Sequence, residues 1–305
     1  MKRKPYKAKL LYFFPALFLL MLLILLTQGG CRSGKAEKAG EPPNPAHPGI
    51  FMTKEEFYRC LGAQDSMDKG TAEVKGKFVS GVVPHHLVAS RLIVQFMQTL
   101  AAQKPAVIIL AGPNHRNLGG KIITGLYDWQ TPAGLVKTEA KIVRALLEKG
   151  LAARDEETLS KEHSIGGLLP FIRHFMPQAR VVPLIFHHNV TLCEIDALLE
   201  VLQPCLDEDA VLVASVDFSH YRTRREAESR DELTLRVMRD FDYTTLYKLG
   251  NNHLDSPASL SLAFRAAQKR GIREFEVLGH SNSGIILKND IIETTSYFTL
   301  VFGEK

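Results

Sequence analysis

Paired cysteines are missing from this 305-residue chain. Four cysteines occur, Cys31, Cys60, Cys193 and Cys205, and no two stand at Cys-x-x-Cys spacing, which argues against a thiolate zinc site. Cys193 and Cys205 are open either to a disulfide or to free thiols, because a segment of helical pattern separates them and the sequence does not set their geometry. Surplus charge is missing from most of the chain as well. The formal net charge is +5, but Lys2, Arg3, Lys4, Lys7 and Lys9 account for all of it, and residues 1–30 hold no acid. The remainder is neutral and lacks the basic face of a nucleic-acid binder, so no nucleic-acid partner is expected. There is no internal repeat, and beyond Pro48 no second stretch of linker composition.

What is there begins with a leader. The basic residues precede an unbroken apolar run, Leu10–Leu26, and then Thr27-Gln28-Gly29-Gly30-Cys31. Its length falls between a cleaved signal core and a spanning helix, and either reading crosses a membrane. Lys and Arg beside a first apolar segment resist translocation, so the amino terminus is expected in the cytoplasm and the domain outside it, anchored at the cell envelope. Cys31 after two glycines resembles a lipoprotein cleavage site, although Gln28 stands where such sites usually carry a Leu-like residue. Residues 1–31 are therefore read as a lipoprotein signal or an uncleaved signal anchor. Residues 32–48, rich in Gly, Pro, Lys, Glu and Ala, read as a flexible tether, and 49–305 as one domain.

Within that domain, short Val- and Ile-rich runs alternate with longer segments of helical period, the pattern of an α/β protein. Phe78–Val83, Ala106–Ala111, Arg180–Phe186 and Val211–Val216 are nearly all apolar, which suits strands covered on both faces. Helices are expected over Val88–Ala102, Thr138–Gly150, Cys193–Leu202, Arg224–Phe241 and Pro257–Arg270. On the charged Arg224–Phe241 segment, Leu233, Val237 and Phe241 recur every four residues and mark its apolar face. Phe275–Gly279, Ile285–Leu287 and Ser296–Phe302 are interrupted by polar residues and read as antiparallel strands. The fold class is therefore a mixed, largely parallel sheet with helices on both faces.

Each of the four apolar strands runs into histidine. They lead to His85-His86, to Asn114-His115, to His187-His188 and to Asp217-Phe218-Ser219-His220. Ligands of open α/β sheets bind outside the carboxyl ends of the strands, so parallel strands would gather these side chains in one crevice. His85 and His115 each follow a Pro-containing turn that stiffens the backbone and are the best metal ligands. His86, His187 and His188 rank lower, because adjacent histidines cannot all face one ion. Asp217 and His220 supply a carboxylate and an imidazole suited to orienting a ligand or moving a proton; the plainer reading is that Asp217 caps the next helix. Glu162 and His163 form a second such pair, with Ser164 as an ordinary helix cap.

The same segments carry a family resemblance. His47-Pro48-Gly49-Ile50-Phe51, Val83-Pro84-His85, Gly112-Pro113-Asn114-His115, Glu162-His163-Ser164-Ile165, Val216-Asp217-Phe218-Ser219-His220 and Asn252-His253-x-x-x-Pro257 occur in this order and resemble the Memo family. That family includes the bacterial proteins called AmmeMemoRadiSam system protein B. The resemblance spans His47 to Phe302 and implies the fold of class III extradiol dioxygenases, non-haem iron enzymes that cleave aromatic diols. It also implies a metal held by a Pro-His histidine, a Gly-Pro-Ser-His histidine and a cysteine before a proline. By position these are His85, His115 and, where the family has cysteine, His253. Two further departures remodel the pocket wall: His86-Leu87-Val88 stands for Ala-Gly-Tyr, and Gly166 for the acid after His-Ser-Ile.

Three functions follow. In a redox enzyme, His85, His115 and His253 would hold iron or copper, with His220 and Asp217, and Glu162 with His163, handling protons. A zinc hydrolase would use the same ligands to acidify a bound water. A tethered binding protein would capture a metal, a small molecule or a peptide without turnover. Dioxygenases of the related fold use two histidines and a carboxylate, and Asp217 and Glu162 are the carboxylates at hand.

Overall fold

The computed structural model describes residues 44–62 and 76–304. The leader, Cys31 and the tether as far as Pro43 lie outside the described residues. The folded unit starts at Asn44, earlier than the expected boundary at Gly49. The reason is His47: it is 4% exposed, packs on Tyr127 and Trp129 with ring centroids 5.4 and 4.4 Å away, and lies in a strand.

The strands are β1 (Ala46–His47), β2 (Phe78–Val83), β3 (Val107–Pro113), β4 (Ile122–Thr124), β5 (Asp128–Trp129), β6 (Lys137–Thr138), β7 (Ala153–Arg154), β8 (Arg180–Phe186), β9 (Ala210–Ser215), β10 (Glu276–Asn282) and β11 (Ser296–Gly303). β1 pairs with β5 alone. Among the described residues the others form one nine-stranded sheet in the order β10-β11-β2-β9-β3-β8-β4-β7, with β6 also on β8. The four apolar strands read from the sequence are its parallel centre, β2-β9-β3-β8. β10 and β11 extend it antiparallel, as does β4 on the other side.

Buried on both faces, each central strand divides its side chains alternately between two cores. Ile109, Val182 and Leu212 join Ile195, Leu198 and Leu202 of the Leu192–Asp207 helix and Leu260 and Phe264 of the Pro257–Lys269 helix. Ile108, Leu110, Val211 and Val213 join Ile93, Val94 and Met97 of the Ser90–Ala101 helix and Leu169 and Ile172 of the Leu169–Phe175 helix. Thr191-Glu194 and Thr223-Glu226 start the Leu192–Asp207 and Arg224–Arg239 helices as reciprocal capping boxes.

Two expectations change, and one alternative left open is decided. Ile285–Leu287 is not a strand but the end of a short helix, Ser283–Leu287, started by the Asn282 side chain accepting from the Ile285 amide. The Arg224–Arg239 helix buries Ala227, Asp231, Thr234, Val237 and Met238 rather than Leu233; it packs on polar loops and on β11, so its inner face is partly polar. Cys193 and Cys205 are free thiols. One helix holds both, separating them by about 18 Å along its axis, too far for a disulfide.

Phe264 is 1% exposed and its ring meets Phe241, Phe275 and Phe302 at 5.3, 5.5 and 4.8 Å. Phe264→Ala should therefore lower stability by about 3–5 kcal/mol, read as a lower denaturant midpoint with unchanged slope. A change under about 1 kcal/mol would mean that this cluster collapses freely.

Candidate metal centre

Parallel pairing sets three strand ends side by side: Val83 stands opposite Ser215 and Ala111 opposite Ala214. Two residues past β2 comes His85, two past β9 comes Asp217, and two past β3 comes His115. β8 ends beside them, but the rings of His187 and His188, which follow it, turn to each other at 4.3 Å.

His85 is 3% exposed, and its Nδ1 lies 3.0 Å from Ser215 Oγ. Ser215 donates its own hydroxyl proton to the Ser164 carbonyl at 2.7 Å. The serine oxygen must therefore accept from the imidazole, which places the ring proton on Nδ1 and leaves Nε2 a bare lone pair. Burial, with His115 and His163 beside it, holds the His85 pKa well below its ordinary value, so the ring is neutral.

His115 is set by Glu162, which caps the His163–Gly166 turn. Glu162 Oε1 is 2.8 Å from His115 Nδ1, and the carboxylate also accepts the amides of His115 and Ser164, each at 3.0 Å. Burial alone would raise the Glu162 pKa. The hydrogen bond and charge of His115, with the two amides, outweigh it and bring the value to about 2. An ionised carboxylate only accepts, so His115 also carries its proton on Nδ1 and presents Nε2. Gly112 allows this approach: a Cβ there would stand 2.5 Å from Ser164 Oγ, which donates to the Pro113 carbonyl.

The third imidazole is His163, expected as an acid–base group. It stacks on His115 at 4.2 Å and meets His85 edge-on at 5.2 Å, and His85 lies 5.1 Å from His115. One ring nitrogen from each of the three lies within 4.8 Å of the others. His85 is buried, whereas the side chains of His115 and His163 are 30% and 51% exposed, so the cluster opens on that side.

His253, expected as the third ligand, stands outside this group. Thr234 donates to the Arg230 carbonyl, so its oxygen, 3.0 Å from His253 Nδ1, accepts the ring proton. His253 Nε2 then accepts from Arg230, at 3.2 Å, and both ring nitrogens are committed. The same loop sends Asp255 to the strand ends instead. Its Oδ2 is 3.4 Å from His85 Nε2 and 3.8 Å from His115 Nε2. It also accepts the Asp217 amide, while the Asp255 amide donates to the Asp217 carbonyl.

Asp217 accepts the His85 amide at 3.0 Å and does not cap a helix; Thr223 caps the helix that follows. The side chains of Asp217 and Asp255 are 4% and 5% exposed. Burial pushes both carboxyls up, Asp255 well above the carboxylate range because Asp217 lies beside it. Among the described residues neither has an ion pair with Lys or Arg, and Asp255 Oδ1 is buried without a partner. Two bare imidazole nitrogens, a third imidazole and carboxylates lacking a counter-charge fit a divalent cation with nitrogen and oxygen preference. His220 is half-buried; burial lowers its pKa and Asp217 opposes that, while its Nδ1 is buried without a partner. His86 is drawn off to the Tyr297 hydroxyl, 2.6 Å away. At Gly166 any Cβ would stand 2.0 Å from the Phe51 ring, so Phe51 fills the wall where the resembling family has an acid.

A family model described as "Memo-like protein" matches residues 55–301. A MEMO1 family protein of Aeropyrum pernix is 28% identical over 267 residues, which is 79% of this chain and 92% of that protein. One from Saccharolobus solfataricus is also 28% identical and covers 75% of this chain and 84% of its own. The crystal structure of an uncharacterized Escherichia coli K12 protein overlays 73% of this chain and 99% of its own with a TM-score of 0.52 at 14% identity, a likeness of fold.

Since the Glu162 pKa lies near 2 in the folded chain and at 4.5 ordinarily, its contribution is complete above pH 4.5 and is lost as pH falls toward 2. Glu162→Gln should flatten the acid limb of the stability–pH curve over that window, measured by denaturant unfolding. An unchanged acid limb would show that Glu162 is not held ionised by these donors.

Proposed function

The chain belongs to the Memo-like protein family, and on that footing we propose that it is an envelope-tethered, metal-dependent oxidoreductase that uses iron(II) or copper(II). The observation that carries this reading is Asp255: a buried carboxylate with no Lys or Arg partner among the described residues, beside two imidazoles whose protons are fixed away from it. Two histidines and one carboxylate with an open side form the donor set of non-haem iron(II) oxygenases. His85, His115 and Asp255 would hold the ion, with His163 at the open side. Copper(I) and other soft ions prefer thiolate, and the metal-ligating group contains no cysteine.

When bound, such a metal supplies open coordination positions for dioxygen and a reduced substrate. The rest of the chemistry belongs to the chain. Ser215 and Glu162 keep His85 and His115 in the ligating tautomer, Asp217 orients the His85 backbone, and His220 with Asp217 accepts and returns a proton at the crevice wall. The basic leader and Leu10–Leu26 support a domain held outside the cytoplasm at the membrane.

A second reading, a zinc hydrolase, is favoured by the three clustered imidazoles themselves, because three histidines and a water form a catalytic zinc site. Metal analysis of the full chain purified anaerobically in detergent separates the two. Iron or copper should co-purify, His163→Ala and Asp255→Asn should lower its content, and His253→Ala should leave it unchanged. Zinc alone, with no dioxygen uptake after iron loading, would favour the hydrolase. With a catechol as test substrate, His220→Gln should reduce dioxygen uptake by about 10²–10⁴-fold while metal content holds. Unchanged uptake would remove His220 from the reaction.

A further inference from the structure

The Ser283–Leu287 helix and the loop to β11 carry an apolar surface that the metal chemistry does not use. Ile285, Ile286 and Leu287 are 43%, 38% and 54% exposed, and Ile291 is 91% exposed. An isolated exposed leucine is ordinary, but four large aliphatic side chains within seven residues mark a contact surface. The segment is built rather than slack. Asn282 caps the helix, Lys288 ends it in the left-handed conformation at φ 53°, and the Asn289 amide returns to the Gly284 carbonyl.

The neighbouring Tyr221–Arg224 stretch is tied to this tip. The Thr294 amide donates to the Arg222 carbonyl at 2.7 Å, and Arg224 pairs with Asp290 at 3.0 Å, neutralising that acid. Glu293 is the acid that remains and Lys288 the base, so the tip is close to neutral. Tyr221, 66% exposed, adds an amphipathic ring of the type found at membrane interfaces. Its ring lies 5.7 Å from that of His220, its neighbour in sequence, which places Tyr221 beside the crevice. Register agrees: Leu300 stands opposite Val82 in antiparallel pairing. Ser296 and the tip before it therefore lie past the carboxyl end of β2, where His85 is.

We infer that this tip, Tyr221 with Ile285, Ile286, Leu287 and Ile291, docks into the bilayer surface, so that the metal crevice faces lipid. What identifies the occupant is the chain outside the described fold. Seventeen residues separate Leu26, the end of the apolar run, from Asn44, a span of at most about 60 Å when fully extended. A domain on so short a lead meets the membrane continually, and an exposed aliphatic tip with a tyrosine partitions to the acyl–headgroup boundary. The inference rests on the envelope tether proposed above.

Tryptophan scanning tests it, because Trp129 is the sole tryptophan and is 1% exposed. The full chain would be reconstituted in phosphatidylethanolamine–phosphatidylglycerol vesicles, with and without bromine on the acyl chains. Ile291→Trp and Leu287→Trp fluorescence should be quenched severalfold more by brominated lipid than that of Asp209→Trp, an exposed site just before β9 at the opposite end of the sheet. Equal quenching at all three positions, on chain that floats with the vesicles, overturns the docked tip while leaving the tether intact. Chain that does not float overturns both. Shielding of the tip from aqueous quencher without lipid quenching, together with a dimer by sedimentation, would assign the surface to a second copy and overturn the inference.

Discussion

The site depends on one constraint: β2, β9 and β3 run parallel and in register, so that their carboxyl ends stop at the same level. Parallel strands need long crossovers, and the helices that make them bury both faces of the sheet. Acidic and imidazole side chains are then kept out of the central strands and collect just beyond their ends. His85, Asp217 and His115 are neighbours for that reason, although more than one hundred residues separate the first from the second. A one-residue shift of β9 against β2 would separate Ser215 from His85 and release the imidazole that it orients.

Around this frame the protein sets protons rather than merely placing rings. Ser215 passes its proton to the Ser164 carbonyl, and Glu162 stays ionised, so His85 and His115 both present bare Nε2. Ser164 serves both arrangements, through its carbonyl and its amide. Asp217 and Asp255 clasp each other through backbone amides and lie buried, among the described residues, without an arginine or lysine partner. Left ionised without a counter-charge, such a pair would cost several kcal/mol per carboxylate, which is why burial pushes both pKa values up. A divalent cation held there would remove that cost.

Much of this was legible in the residues. Period and apolar runs located the four central strands to within two residues, because burial on both faces keeps charged residues out of them past the first position. The strand-end histidines followed from topology. What was not legible was which side chain of a loop turns inward. The loop before Pro257 offers His253 and Asp255, and counting back from the proline selects the imidazole. Thr234 and Arg230, distant in sequence and on another helix, decide the matter by taking both its nitrogens. The place of His163 is hidden for a similar reason: its stacking on His115 is a tertiary fact with no local signal. The Ile285–Leu287 run of the Ser283–Leu287 helix reads as a strand because short apolar runs do not distinguish the two.

Anomalous diffraction from crystals of the chain soaked anaerobically with iron(II) tests the central claim most directly. The account predicts one strong peak bounded by His85, His115 and Asp255 on the face open toward His163. A peak at His253, or none at saturating metal, would contradict it.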